Sequence, residues 1–167
     1  RELRLPLVSV IDTPGAALSK EAEERGLAPE IARTLSDLIT LPTPTVSLLM
    51  GQGTGGIALA LNPADRVLAS QHAWLAPLPP EGASAIMHRT VDRAPDMAAA
   101  QGVRSADLLA AGIVDRVVPE PDDPAAEREA FCRGLGDALR EELLRVMAQD
   151  RRKRRAQRAR RYRSLGL

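Results

Sequence analysis

The residues most able to do chemistry are six in a row, Gly51-Gln52-Gly53-Thr54-Gly55-Gly56, directly after the apolar run Thr45 to Met50 and before the small-residue stretch Ile57 to Leu61. Read as strand, glycine turn and helix, this order brings backbone N–H groups to a helix start. Those groups have no intrahelical acceptor there, and the dipole favours negative charge. Glycine lets a ligand approach such a backbone closely. A turn of this kind can hold a phosphate or a developing oxyanion; alternatively, its glycines only permit close packing of helix on strand. The segment lacks the Lys-Ser/Thr ending of a phosphate loop, and its glycine spacing is not that of a dinucleotide fold.

Other catalytic constellations are sparse. There is no paired-His spacing for a metal and no Gly-x-Ser-x-Gly elbow, and His72 and His88 are the only imidazoles, so each reads as structural. Asp12, two residues before Pro14, reads as a turn former. Cys132 is the single cysteine, which excludes an internal disulfide and a structural zinc site built by this chain alone. No metal ligand is assigned. Chemistry run on backbone donors suits this poverty of side-chain acids and bases.

The elements that must position the glycines follow from periodicity. Leu5 to Ile11 reads as a strand ended by the turn signal Asp12-Thr13-Pro14-Gly15. Ala16 to Leu27 reads as a loop or partly mobile lid. Ile31, Leu35, Leu38 and Ile39 recur at helical spacing between Pro29 and Pro42. After Thr45 to Met50 come short strands at 66–69 and 73–76, a helix from Pro79-Pro80 to Met87, and two short helices in 94–111 with Ser105 as N-cap. Ile113 to Val118 reads as the last strand, and a long helix from about Pro124 to Gln149 can continue into the tail. Alternating strands and helices predict a mostly parallel α/β sheet, with a core domain over residues 1–123 and a helical, basic extension over 124–167.

Composition agrees. The 167 residues are 44% hydrophobic, yet Trp74, Phe131 and Tyr162 are the only aromatics, so the core must be aliphatic. That leaves no platform of aromatics for stacking nucleic-acid bases. Residues 151–163 hold nine of the 23 basic residues, so residues 1–150 carry 14 basic against 22 acidic side chains, net −8. The tail reads as a solvated, partner-facing helix serving assembly or the phosphates of a small ligand rather than nucleic acid. No signal peptide, lipidation motif or long apolar run occurs, which points to a cytoplasmic protein without a membrane segment. The start at Arg1, at the mouth of a strand, is expected of a piece of a larger polypeptide.

Several motifs together carry a resemblance. Asp12-Thr13-Pro14-Gly15-Ala16, Ala22-Glu23-Glu24-Arg25-Gly26, Ile31-Ala32-Arg33, Gly51 to Ala60, Pro80-Glu81-Gly82-Ala83, Asp92-Arg93-Ala94-Pro95, Gly112-Ile113-Val114-Asp115 and Val118-Pro119-Glu120-Pro121 occur in one order. The tail runs Arg160-Arg161-Tyr162-Arg163 into Ser164-Leu165-Gly166. The whole resembles the carboxyltransferase alpha subunit of bacterial acetyl-CoA carboxylase, in the biotin-dependent acyl-CoA carboxyltransferase family. The resemblance implies a crotonase-like (ClpP/crotonase) α/β fold and carboxyl transfer from carboxybiotin to acetyl-CoA or a related acyl-CoA, giving malonyl-CoA for fatty acid synthesis. It implies three kinds of partner: a beta subunit or fused beta-type domain, a biotin carboxyl carrier protein and the acyl-CoA substrate. An oligomer is expected.

By the same resemblance the oxyanion donors fall on Gly55 and Gly56, and Gly15, Ala16, Gly53, Thr54 and Ile57 line the site for the biotin and CoA thioester. The sequence departs from the family at Ile57, usually Ala, which narrows the pocket beside the glycines. It departs again over 71–79, where His72-Ala73-Trp74 and Pro77-Leu78-Pro79 replace a more ordinary strand. Two alternatives stay open: a biotin-independent crotonase-fold enzyme such as a decarboxylase, and a non-catalytic subunit of a carboxylase complex, which Ile57 favours.

Overall fold

The structure, a computed structural model, describes residues 2–17 and 19–164. Arg1, Leu18 and the Leu165-Gly166 end of the family-like tail lie outside the described residues.

Five parallel strands form the sheet: β1 (Leu7–Thr13), β2 (Thr45–Thr54), β3 (Arg66–Ser70), β4 (Trp74–Ala76) and β5 (Arg116–Val118). The order is β1-β2-β3-β5. β2 is the pivot, because Val46 to Leu49 pair with β3 while Gln52 to Thr54 pair with β4. Its side chains alternate between two apolar layers. Leu49 joins Ile11, Val67, Ala69 and Leu75 on one face, and Val46 and Leu48 join Leu68, Leu135 and Val146 on the other.

The helices are α1 (Lys20–Glu24), α2 (Leu27–Thr40), α3 (Gly55–Leu61), α4 (Pro80–His88), α5 (Ala94–Gln101), α6 (Ser105–Ala110), α7 (Arg128–Met147) and α8 (Arg151–Ser164). α3 and α6 cover the first face through Ala58 and Leu108, and α7 covers the second through Leu135, Ala138 and Val146.

The structure differs from the sequence reading at several places, each for a local reason. β1 does not stop before Asp12 but runs through Thr13, with a register shift between Ile11 and Thr13. The expected loop at 16–27 contains α1, capped by the Ser19 hydroxyl accepting from the Ala22 N–H at 3.1 Å. β2 does not end at Met50; Gly51, Gln52, Gly53 and Thr54 are still strand. Ser105 is not the N-cap of α6, since its hydroxyl donates to the Gln71 carbonyl. Arg104 takes that position, and its N–H donates to Asp107 at 3.3 Å. β5 is only Arg116–Val118.

The long C-terminal helix is two helices. Asp150 accepts from the N–H groups of Arg152 and Lys153 at 3.0 and 2.9 Å, so it caps a new helix rather than extending α7. Nor is α8 wholly solvated. Arg154 and Arg158 are 4% and 1% exposed. Arg158 donates to Asp65, to the Leu38 and Leu41 carbonyls at the end of α2, and to the Thr43 carbonyl. Arg161 donates to Asp115 at 2.6 Å, and Asp115 also holds Arg66 at 2.9 Å. The acidic body thus takes part of its own basic tail.

Candidate functional site

The glycines are legible one by one. Gly51 has no room for a Cβ, which would sit 2.7 Å from Asp12 Oδ1; that oxygen instead accepts the Gln52 N–H at 2.9 Å. A Cβ on Gly53 would meet Leu49 Cδ1 at 2.7 Å, Leu75 Cδ1 at 2.9 Å and the Trp74 carbonyl at 3.1 Å. These two glycines are therefore packing residues that draw β1 and β4 against β2. The chain turns only afterwards. Thr54 is extended and 3% exposed, and Gly55 enters α3 at φ +69°, in the left-handed region that glycine adopts without strain.

Gly55 and Gly56 then form the first turn of α3. Nothing lies within 4 Å of where a Gly55 Cβ would stand, while Gly56 is exposed and faces Ile31 Cδ1 and Cγ2 of α2, 3.4 Å from its Cβ position. The first-turn N–H groups have no acceptor within the helix. Thr54, the N-cap residue, makes no capping bond, and its Oγ1 is buried without a hydrogen-bond partner. The start of α3 is thus a place where an anionic oxygen from outside can meet helix-end N–H groups. Ile57 is half-buried in the same turn, and Ala58 behind it anchors α3 in the core.

The second predicted group comes to the same place. Thr13 pairs with Gly53. Gly15 sits at φ +110° with its N–H donating to Thr13 Oγ1 at 3.2 Å, and its Cβ position is 3.4 Å from the Thr54 carbonyl. So Gly15 is brought against Thr54, with half-buried Ala16 following it in the chain.

Two features were not found from sequence. Asp12, read as a turn former, holds β1 to β2 through the Gln52 N–H; the missing side chain at Gly51 was the signal. Beyond β4, a cavity of about 400 Å³ is lined by Trp74, Pro80, Glu81, Val103 and Arg104, with His72 at its rim. Glu120 accepts from the His72 N–H at 2.9 Å and lies 3.1 Å from its Nδ1. Burial opposes ionisation of Glu120, but hydrogen bonds from the His72 amide and ring and from the Ser70 hydroxyl outweigh it and hold the carboxyl below its usual range. His72 is thus tied to Glu120 through both its amide and its ring. Among the described residues, no three His, Cys, Asp or Glu gather as a metal site, and no helix is long and apolar enough to cross a membrane.

A parallel α/β sheet with this strand order has the crotonase-like fold. The crystal structure of a Pseudomonas malonate decarboxylase hetero-tetramer in complex with coenzyme A matches with a TM-score of 0.73 at 21% identity, over 95% of this chain and 64% of that one. A family model described as acetyl co-enzyme A carboxylase carboxyltransferase-like matches residues 1–166, and the chain belongs to that family. A probable biotin-dependent acyl-coenzyme A carboxylase beta3 subunit of Mycobacterium tuberculosis is 57% identical over 166 residues, 99% of this chain and 34% of that protein. The acetyl-coenzyme A carboxylase carboxyl transferase subunit alpha of Methylobacterium nodulans is 43% identical over 163 residues, 97% of this chain and 51% of that protein. The chain therefore spans between a third and about half the length of these relatives.

Proposed function

We propose that this chain supplies one half of a biotin-dependent carboxyltransferase site, in which the Gly55 and Gly56 N–H groups hold an enolate oxygen during carboxyl transfer to an acyl-CoA. The observation that supports it is the uncapped first turn of α3, open at Gly55, in a chain of the carboxyltransferase family. The site suits a CoA thioester and a biotinyl group: an approach without a Cβ, two backbone donors and a buried, unpartnered hydroxyl at Thr54. Carboxybiotin, carried on a partner protein, supplies the carboxyl group. The chain's own part is electrostatic. Proton removal from the acyl carbon leaves negative charge on the thioester oxygen, and fixed N–H dipoles stabilise it without reorganising. Gly15 packs on Thr54 and holds the turn from behind; Gly53 holds it to β4.

Among the described residues there is one such turn, and two substrates present two oxygens to stabilise, so the reading includes a beta-type partner. The name and greater length of the mycobacterial relative favour a partner region in the same polypeptide. Acetyl-CoA as acceptor, malonyl-CoA as product, fatty acid synthesis and a cytoplasmic setting are the finer form of this proposal. Ile57 favours a second reading, a subunit that keeps the fold without turnover.

Gly56→Pro tests the assignment, because proline removes the N–H yet fits the first turn of a helix. In the assembled complex, turnover is expected to fall about 100- to 1,000-fold with the fold retained. Unchanged turnover overturns it.

A further inference from the structure

α4 buries one side and leaves the other apolar and open. Pro80, Ala83 and Ser84 are buried, while Ile86 and Met87 are each 70% exposed. Leu78, 41% exposed, lies 3.5 Å from the Gly82 Cβ position, and Gly82 stands one helical turn before Ile86. The chain after α4 folds back, the Ser84 hydroxyl donating to the Thr90 carbonyl, and keeps Val91, 58% exposed, at the same end of the helix. Exposed apolar side chains scattered singly are ordinary, but four over residues 78–91 on one helix and its flanks form a patch.

At the start of α4 this patch meets the cavity of about 400 Å³ that Trp74, Pro80, Glu81 and Arg104 line. The charges around it are unequally committed. Arg104 is held by Asp107 and Arg93 by Asp96, whereas the exposed Glu81 carboxylate has no ion pair or hydrogen bond among the described residues. An indole wall beside a free carboxylate suits a basic side chain from outside. Trp74 is also close to the turn of α3. It pairs with Gln52, and Gly55 is three residues further, about 10 Å at ~3.3 Å per residue. We propose that α4 and the Trp74 cavity are the surface on which the beta-type partner docks, through a helix with an apolar stripe and a Lys or Arg that enters the cavity. The inference rests on the carboxyltransferase reading above. About half to two-thirds of the relatives' length lies outside the matched part, ample to cover the face. A second turn seated there meets the same substrates as Gly55 and Gly56.

The test uses the assembled carboxylase complex with the full polypeptide. Under mild peroxide Met87 should be spared while Met147, 51% exposed on α7, is oxidised. Ile86→Glu/Met87→Glu should lower turnover about 100-fold, as the loss of two anchor residues does, with Tm retained. Leu144→Glu, at an exposed apolar position of α7, should leave both as they were. Glu81→Lys should weaken docking more than Glu81→Gln. Equal oxidation of Met87 and Met147 in an active complex overturns the inference, as does wild-type turnover in the double variant. Crosslinking from Ile86→Cys in a Cys132→Ser background then identifies the occupant. A link to the partner supports the inference, and a link to a second copy of this chain overturns it. A complex that transfers no carboxyl group to any CoA thioester while Met87 stays spared sinks the carboxyltransferase reading and leaves the docking surface standing.

Discussion

Arg158 grips Asp65 through two N–H···O bonds of 2.8 Å, with both side chains almost fully buried. The rest of the guanidinium ends in the carbonyls of Leu38, Leu41 and Thr43, so one side chain caps α2 and neutralises a buried acid. A buried pair of this kind is no large net gain, but breaking it leaves a charge stranded.

Arg158→Ala is expected to cost about 3–5 kcal/mol in urea unfolding. Arg158→Lys should recover little of it, because an ammonium lacks the fork. The double variant Asp65→Asn/Arg158→Met should lose less than the two singles together. A loss below about 1 kcal/mol for Arg158→Ala would show that α8 does not seal this corner.

Gly53→Ala should destabilise by about 1–3 kcal/mol through overpacking. Its Cβ meets the Trp74 carbonyl, which cannot rotate away as the two leucine methyls can. β4 must move from β2, so activity should fall more steeply than stability. Equal activity in wild type and variant would mean that the β2–β4 spacing does not position the turn.

Ile57→Ala restores the residue that the family resemblance expects beside Gly56. Turnover with short acyl-CoAs should rise and the preference shift towards bulkier acyl groups, read from kcat/KM across a chain-length series. An unchanged series would place the specificity elsewhere, with Trp74 at its cavity the next residue to test.

Glu120 gives the acid limb of stability a sign. Its carboxyl ionises more readily in the folded chain than in the unfolded one, ordinarily about 4.3. Its contribution is therefore complete above that ordinary value and is lost as pH falls through the lowered folded one. Glu120→Gln should flatten the decline of Tm with acidification in that window; parallel curves for the two proteins would refute it.

The alternation of apolar runs and helical spacings was enough to place nearly every element, because parallel strands buried on both faces read as continuous Val/Leu/Ala segments. The motif Gly51 to Gly56 was found but misread in part. Glycine marks close approach as well as turning, and only the positions of Asp12, Leu49, Leu75 and Trp74 show that Gly51 and Gly53 are extended and tightly packed while Gly55 turns. The inward face of α8 was hidden for a related reason. Arg158 looks like its neighbours in a run of arginines, and nothing local reveals that Asp65, 93 residues away, is buried opposite it.

That distance also orders events in time. The Leu38 carbonyl that Arg158 caps lies 120 residues earlier in the chain, so a polypeptide emerging from its N-terminal end builds α2 and buries Asp65 before their counter-charge exists. Loop closure over so long a span makes this contact late and slow. Until α8 docks, the sheet's corner holds an unpaired carboxylate and an open helix end, and nascent chains are most exposed to misassembly at that stage. Completion of folding of this region is thereby tied to synthesis of α8.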